Sequence, residues 1–194
     1  VPIKQSSTSF MHCLDESSAA RQLGDFIVAM REIDTCDELL PGTHNFFRGT
    51  ALAKRDEEVR AAIAQLAHFM DTRPAESAWD RLREVPPWPH RPVMIHGDLL
   101  STNILAARGH LTAIIDFGGM GAGDPACDLI PAWGLFSKGT REIFQRHAEV
   151  DSDTWLRGKG WALSIGLIAL PYYRSTNPQF ADLAKRMIGE ALSD

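Results

Sequence analysis

The sequence is poor in the features that define several large protein classes. It holds three cysteines, Cys13, Cys36 and Cys127, an odd number with no C-x-x-C spacing. That excludes a disulfide framework and a paired-cysteine zinc site, and it points to a reducing compartment, the cytoplasm. Long apolar runs are missing as well: the most apolar segment is 161–170, half of the roughly 20 residues a membrane helix needs. The opening VPIKQSSTSF has neither the basic region nor the apolar stretch of a signal peptide. It also lacks an initiator Met, so the chain reads as a fragment or a processed product. No internal repeat or low-complexity tract is present. Positive charge is in deficit, with 20 Lys and Arg against 25 Asp and Glu and a net charge of −5. This balance argues against general nucleic-acid binding and leaves room for a cationic ligand.

At 194 residues, 44% hydrophobic and 23% charged, the chain can build one sizeable core, and a single domain over 1–194 is expected. It is organised around 93–129, VMIHGDLLSTNILAARGHLTAIIDFGGMGAGDPACDL. Apolar runs over 93–95, 104–106 and 111–115, with a turn at Arg108-Gly109, read as a strand followed by a hairpin. The hairpin would return Asp116 to the neighbourhood of Asn103, five residues after Asp98. An Asp, an Asn and a second Asp then converge on a small volume.

Phosphoryl transfer requires such a set, because the moving group spreads negative charge over several oxygens that must be positioned and neutralised. Mg²⁺ takes one or two protein oxygen ligands and draws the rest from phosphates and water. Asn103 and Asp116 fit as metal ligands. Asp98 fits as the carboxylate that orients the acceptor hydroxyl and takes its proton, and His96 fits as a residue whose ring holds the loop backbone and the Asp116 strand end. The spacing follows the kinase pattern H-x-D-x-x-x-x-N and then D-F-G.

These residues carry a resemblance. HGDLLSTNIL followed by IDFGGMGAGDPACDL resembles the aminoglycoside phosphotransferase family of small-molecule kinases, with Gly97 in place of the Arg usual in protein kinases. MREID at 30–34 is similar to that family's L-H-x-I-D. The resemblance implies a protein-kinase-like C-terminal lobe, ATP or GTP as phosphoryl donor, Mg²⁺, and an acceptor hydroxyl on an antibiotic or metabolite. It also implies that Asp124 and Asp128 brace the catalytic loop.

The flanks read as helices: 17–33 with Ala20, Leu23, Ile27, Met30 and Ile33 on one face, 53–71 with Val59, Ile63, Leu66 and Met70, and 74–84. PPWPHRP at 86–92 leads into the first strand, with Trp88 as a packing anchor, and His68 reads as a surface or packed histidine. Further helices are expected at 125–135, 140–149, 153–173 and 178–192. Asp124 should cap the first, Pro171 should kink or end the third, and the apolar third should be central and buried. For the loop HNFFRGT, 44–50, one reading brings Phe46, Phe47 and Arg48 to the substrate; the ordinary one has the two aromatics pin the loop to the core. The fold class is mainly α with short β-hairpins.

Rival motifs fail. FGGMGAGD has Asp124 where G-x-G-x-x-G needs its last glycine, and it follows a hairpin instead of opening a βαβ unit. Ser101 near His96 lacks a G-x-S-x-G elbow. Val1-Pro2-Ile3-Lys4 looks like a kinase V-A-I-K strand, but no glycine-rich loop precedes it and Lys4 is too near Asp98, so a linker remnant is expected. The nucleotide lobe, with its glycine-rich loop and strand Lys, is therefore expected to be absent. The face that meets it would be exposed and partly apolar, which invites self-association. The rival from another class is a non-catalytic helical binding domain that retains the motif.

Overall fold

The computed structural model describes residues 14–193; Lys4 and Cys13 lie outside the described residues. Eleven elements matter here. Helices α1 (Glu16–Arg31), α2 (Asp56–Leu66) and α3 (Arg73–Leu82) precede strand β1 (Val93–Ile95). Strands β2 (Ile104–Ala107), β3 (His110–Ile114) and β4 (Gly121–Gly123) follow. The chain then finishes as helices α4 (Pro131–Gly134), α5 (Lys138–His147), α6 (Ser152–Tyr173) and α7 (Pro178–Leu192).

The core forms around α6. Its sequence is apolar on nearly all sides, so it must be enclosed, and α7, α2 and α3 pack around it. Trp79, Trp133 and Trp161 are fully buried. Helix α1 lies against α5 on one side and against β1 and β3 on the other, so it ties the helical core to the strands that carry the site. No described helix is long and apolar enough to cross a membrane.

The strands form two antiparallel pairs, β2 with β3 and β1 with β4. The first is the expected hairpin, turning at Arg108 and Gly109, both with positive φ. The second pair has no counterpart in the sequence reading. Gly121-Ala122-Gly123 carries no strand-forming side chains, yet Val93 pairs with Gly123 and Ile95 with Gly121. A Cβ at Gly123 would lie 2.7 Å from Gly49 O, so only glycine lets the 43–50 loop pass over this strand. Asp124 N donates to that same carbonyl at 2.9 Å.

Several boundaries move for identifiable reasons. Helix α1 stops at Arg31, leaving Ile33 in a turn and 49% exposed. Helix α2 starts after a 3₁₀ turn, Leu52–Arg55, and stops at Leu66, so Met70 is exposed instead of continuing the apolar face. The expected helix 125–135 is a 3₁₀ turn, Pro125–Leu129, followed by the short α4, because Pro131 has no N–H to continue the ladder. Pro171 lies inside α6, which ends two residues later.

Helix α6 is capped by Asp151, whose carboxylate accepts from Thr154 N at 2.7 Å. The Thr154 side chain and amide hold that carboxyl below the ordinary range. Such a group stabilises the fold above its unfolded value, about 3.9, and the contribution is lost as pH falls through the lower folded value. Asp151→Ala should therefore cost about 0.5–2 kcal/mol at pH 7. Urea unfolding of wild type and variant should show the gap closing as the pH is lowered toward the acid limit of the native state; a gap that does not change with pH would mean the cap acts without its charge.

Candidate active site

β1 ends at Ile95, and from His96 the chain turns sharply into the site. The turn is held from below by Asp128, whose two carboxylate oxygens accept from His96 N at 2.7 Å and Gly97 N at 2.8 Å. Asp128 is 1% exposed. Burial pushes its carboxyl upward, against the pull of the two amide donors. Gly97 sits at φ +80°, and a Cβ there would meet Gly119 O at 2.0 Å. That is the physical reason for glycine between the His and the Asp: the backbone of the 117–119 turn occupies the space an arginine would need.

His96 is fully buried. Its Nε2 lies 3.2 Å from Ile115 O, and its Nδ1 accepts from Asp98 N at 3.3 Å. A carbonyl needs a donor and an amide needs an acceptor, so the ring carries its proton on Nε2. The imidazole thereby links the Asp98 loop to the residue before Asp116. Phe117 packs on it at 4.6 Å between ring centroids.

Asn103 closes the loop from the other side. Its Nδ2 donates to both Asp98 O and Asp98 Oδ2, each at 2.9 Å, and its backbone carbonyl accepts from Ile115 N at 2.9 Å. Asp116 follows at φ 64°, ψ 66°, a left-handed conformation that Asp tolerates better than most residues. The hairpin thus delivers Asp116 to Asn103 as the sequence predicted. Asp98, Asn103 and Asp116 line one cavity of about 1350 Å³. With its amide nitrogen committed to Asp98, Asn103 has its carbonyl oxygen left to offer a cation, and exposed Asp116 offers a carboxylate. Two hard oxygen donors fit Mg²⁺. Among the described residues, no three His, Cys, Asp or Glu side chains form a cage of their own.

Asp124 does more than the sequence implied. It accepts from Ala126 N at 3.0 Å as a cap, and it also pairs with Arg157 of α6, Nε to Oδ2 at 2.6 Å. Both side chains are almost wholly buried. Burial drives the Asp124 carboxyl upward, and the Arg157 and Ala126 bonds offset this only in part. The loop 44–50 also departs from the ordinary reading. Phe46 and Phe47 are 70% and 53% exposed, so they do not pin the loop to the core. The loop is held instead by buried Asn45, which accepts from Gly42 N and donates to Arg48 O. Arg48 Nη2 then reaches Asp98 Oδ1 at 3.4 Å. Sequence reasoning passed over Arg55, which also lines the cavity, and Arg157. For Arg157 a signal existed: a lone arginine in an apolar helix needs a buried acid.

A profile of the phosphotransferase enzyme family matches residues 1–161, and the chain belongs to that family. An aminoglycoside 3'-phosphotransferase of Escherichia coli is 28% identical over 103 residues, covering 50% of this chain and 38% of that protein. The chain thus spans well under half the length of the curated relative it matches. Among solved structures, a spectinomycin phosphotransferase in complex with ADP and spectinomycin aligns with a TM-score of 0.58 at 17% identity, covering 93% of this chain and 66% of that one. A gentamicin complex of APH(2")-IIa aligns with a TM-score of 0.56 at 15% identity, covering 100% and 69%. At these identities the likeness is one of fold, the helical C-terminal lobe of the kinase-like architecture.

The cap alone would put Asp124→Ala at about 0.5–2 kcal/mol. The buried pair raises the expected loss to about 3–5 kcal/mol, because Arg157 is left charged and unpaired. Adding Arg157→Met to that variant should recover part of the loss. Chemical denaturation of the single and double variants measures this, and a double variant less stable than the single one would contradict it.

Proposed function

We propose that the protein transfers the γ-phosphoryl group of ATP or GTP to a hydroxyl of a small molecule. We further propose that this chain, as one domain over 1–194, is the lobe that holds the reacting hydroxyl. The observation that carries this reading is the convergence of Asp98, Asn103 and Asp116 on one cavity, with Asn103 clamping the Asp98 carboxylate from the side. Asp98 accepts the proton of the acceptor hydroxyl and orients it for attack. Asn103 and Asp116 would hold Mg²⁺, which when bound neutralises charge on the donor phosphates. His96 is a positioning residue: through Asp98 N and Ile115 O it fixes the two loops relative to each other. The acceptor enters the part of the cavity between the 44–50 loop, α2 and α6. The relatives' names are those of antibiotic phosphotransferases, aminoglycoside ones among them, so an antibiotic or another small-molecule alcohol is the acceptor class, and a cytoplasmic location would supply nucleotide and keep Cys36 and Cys127 reduced.

The nucleotide grip, a glycine-rich loop over the phosphates and a strand lysine, belongs in this reading to a second lobe outside this sequence. Supporting it, Leu105, Ile115, Phe117 and Met120 are all exposed around the hairpin, an apolar face of the kind that a second lobe or a second copy covers.

Two measurements test the reading. In the enzyme with both lobes, Asp98→Asn should lower kcat by at least ~10² with KM nearly unchanged, since it removes a proton acceptor but little shape. Asp116→Ala should weaken Mg²⁺-nucleotide binding instead. Wild-type turnover by the Asp98 variant would sink the assignment. The chain alone, given ATP, Mg²⁺ and aminoglycoside and macrolide panels, should turn over little, because in this reading the groups that orient the γ-phosphate belong to the second lobe; robust Asp98-dependent turnover would put the nucleotide site within this chain.

A further inference from the structure

One end of the cavity is basic. Arg48 from the 44–50 loop and Arg55 from the turn before α2 both set their guanidiniums against the Trp161 ring of α6, with Cζ 6.0 and 4.6 Å from its centroid. Arg55 is only 9% exposed. Its Nε donates to Ser164 Oγ at 3.0 Å, and among the described residues it forms no ion pair. Exposed Glu58, also on the cavity wall, supports its charge without pairing to it. Burial, with Arg48 beside it, pulls its pKa down to about 10, so it remains cationic at neutral pH. Arg48 has only the long contact to Asp98, and its Nε is buried without an acceptor. Trp161 itself is wholly buried behind the cavity wall and serves as the surface on which the two guanidiniums rest.

Two guanidiniums thus meet on one ring, one with Asp98 at 3.4 Å and the other with only Glu58 acting on it from a distance, in surroundings that strengthen their mutual repulsion. An oxyanion between them relieves that repulsion, because the planar guanidinium fork matches carboxylate and phosphate oxygens. An amine-rich ligand placed between the two guanidiniums would add a third positive charge; the cavity's acidic groups are Glu58, Asp98 and Asp116. From this basic end the cavity continues to an apolar end lined by Ile165, Ile168, Tyr172 and Phe180.

Taking the phosphotransfer reading as given, we propose that the acceptor carries an oxyanion, a carboxylate or phosphate, bound by Arg48 and Arg55 beside Asp98, on an otherwise apolar body. Polycations of the aminoglycoside type are then disfavoured. The anion belongs to the acceptor and not to the nucleotide, because Arg55 is anchored on α6 through Ser164 and Trp161 and not on the hairpin that carries Asp116.

The purified chain is titrated without nucleotide, at fixed ionic strength, by calorimetry and thermal shift. The probes are glycerate, glycerol 3-phosphate, neutral glycerol and the polycation kanamycin. The two anions should bind and raise Tm, and glycerol and kanamycin should bind at least about tenfold more weakly. Arg48→Gln and Arg55→Gln should each weaken anion binding by about tenfold or more, the loss expected for a charged hydrogen-bond donor. Arg48→Lys should retain part of it. If Arg55→Gln fails to fold, Arg48→Gln, on a surface loop, decides. Equal binding of glycerol and glycerol 3-phosphate, tighter binding of kanamycin, or anion binding untouched in the variants overturns the proposal. So does a loss of Mg²⁺-ATP binding in both variants with glycerate binding intact, which would assign the arginines to the nucleotide. No turnover is read, so failure here leaves the role of Asp98 standing, and failure of the Asp98→Asn test leaves the anion site standing.

Discussion

The site depends on one buried carboxylate. Asp128 receives the backbone amides of His96 and Gly97, and those two bonds set where β1 stops and where the loop carrying Asp98 begins. A buried amide without an acceptor costs about 1–3 kcal/mol, so the turn has little freedom while Asp128 is in place. From there the constraint spreads outward: His96 reaches across to Ile115, Ile115 N returns to Asn103, and Asn103 clamps Asp98. The links are hydrogen bonds between residues from five to 32 apart in the chain, and together they hold an Asp, an Asn and a second Asp on one cavity.

Helix α6 supplies the other half of the arrangement. It is enclosed by α2, α3 and α7, yet it carries Arg157 inward to Asp124 and sets Trp161 and Ser164 against Arg55. The helix that organises the core therefore also anchors the turn below the catalytic loop and shapes the far wall of the cavity. Substitutions in it should register at both places, because a close-packed interior transmits small displacements.

The residues that bind an acceptor's body lie in the cavity wall, apart from the loop that carries Asp98. The same loop can serve many acceptors, since orienting a hydroxyl and taking its proton make no demand on the rest of the molecule. In the proposed reading, selectivity rests on segments such as 43–58, whose Arg48 and Arg55 line the cavity.

The sequence by itself determined the helical class, the hairpin and which three polar residues, Asp98, Asn103 and Asp116, would meet on one cavity. Helix periodicity, proline positions and the H-G-D, N and D-F-G spacing are local properties, and local properties are written in the order of residues. It could not place Gly121–Gly123 as a strand, because that strand exists only through pairing with β1 and through the loop that crosses it. It favoured pinning Phe46 and Phe47 to the core over bringing them to the cavity, since exposure depends on what lies opposite. It missed the Asp124–Arg157 pair, 33 residues apart, and the meeting of Arg48 and Arg55 on Trp161, because burial and charge pairing across α6 are fixed only when the helices close on one another. The tertiary structure decided those, and with them the electrostatic character of the cavity.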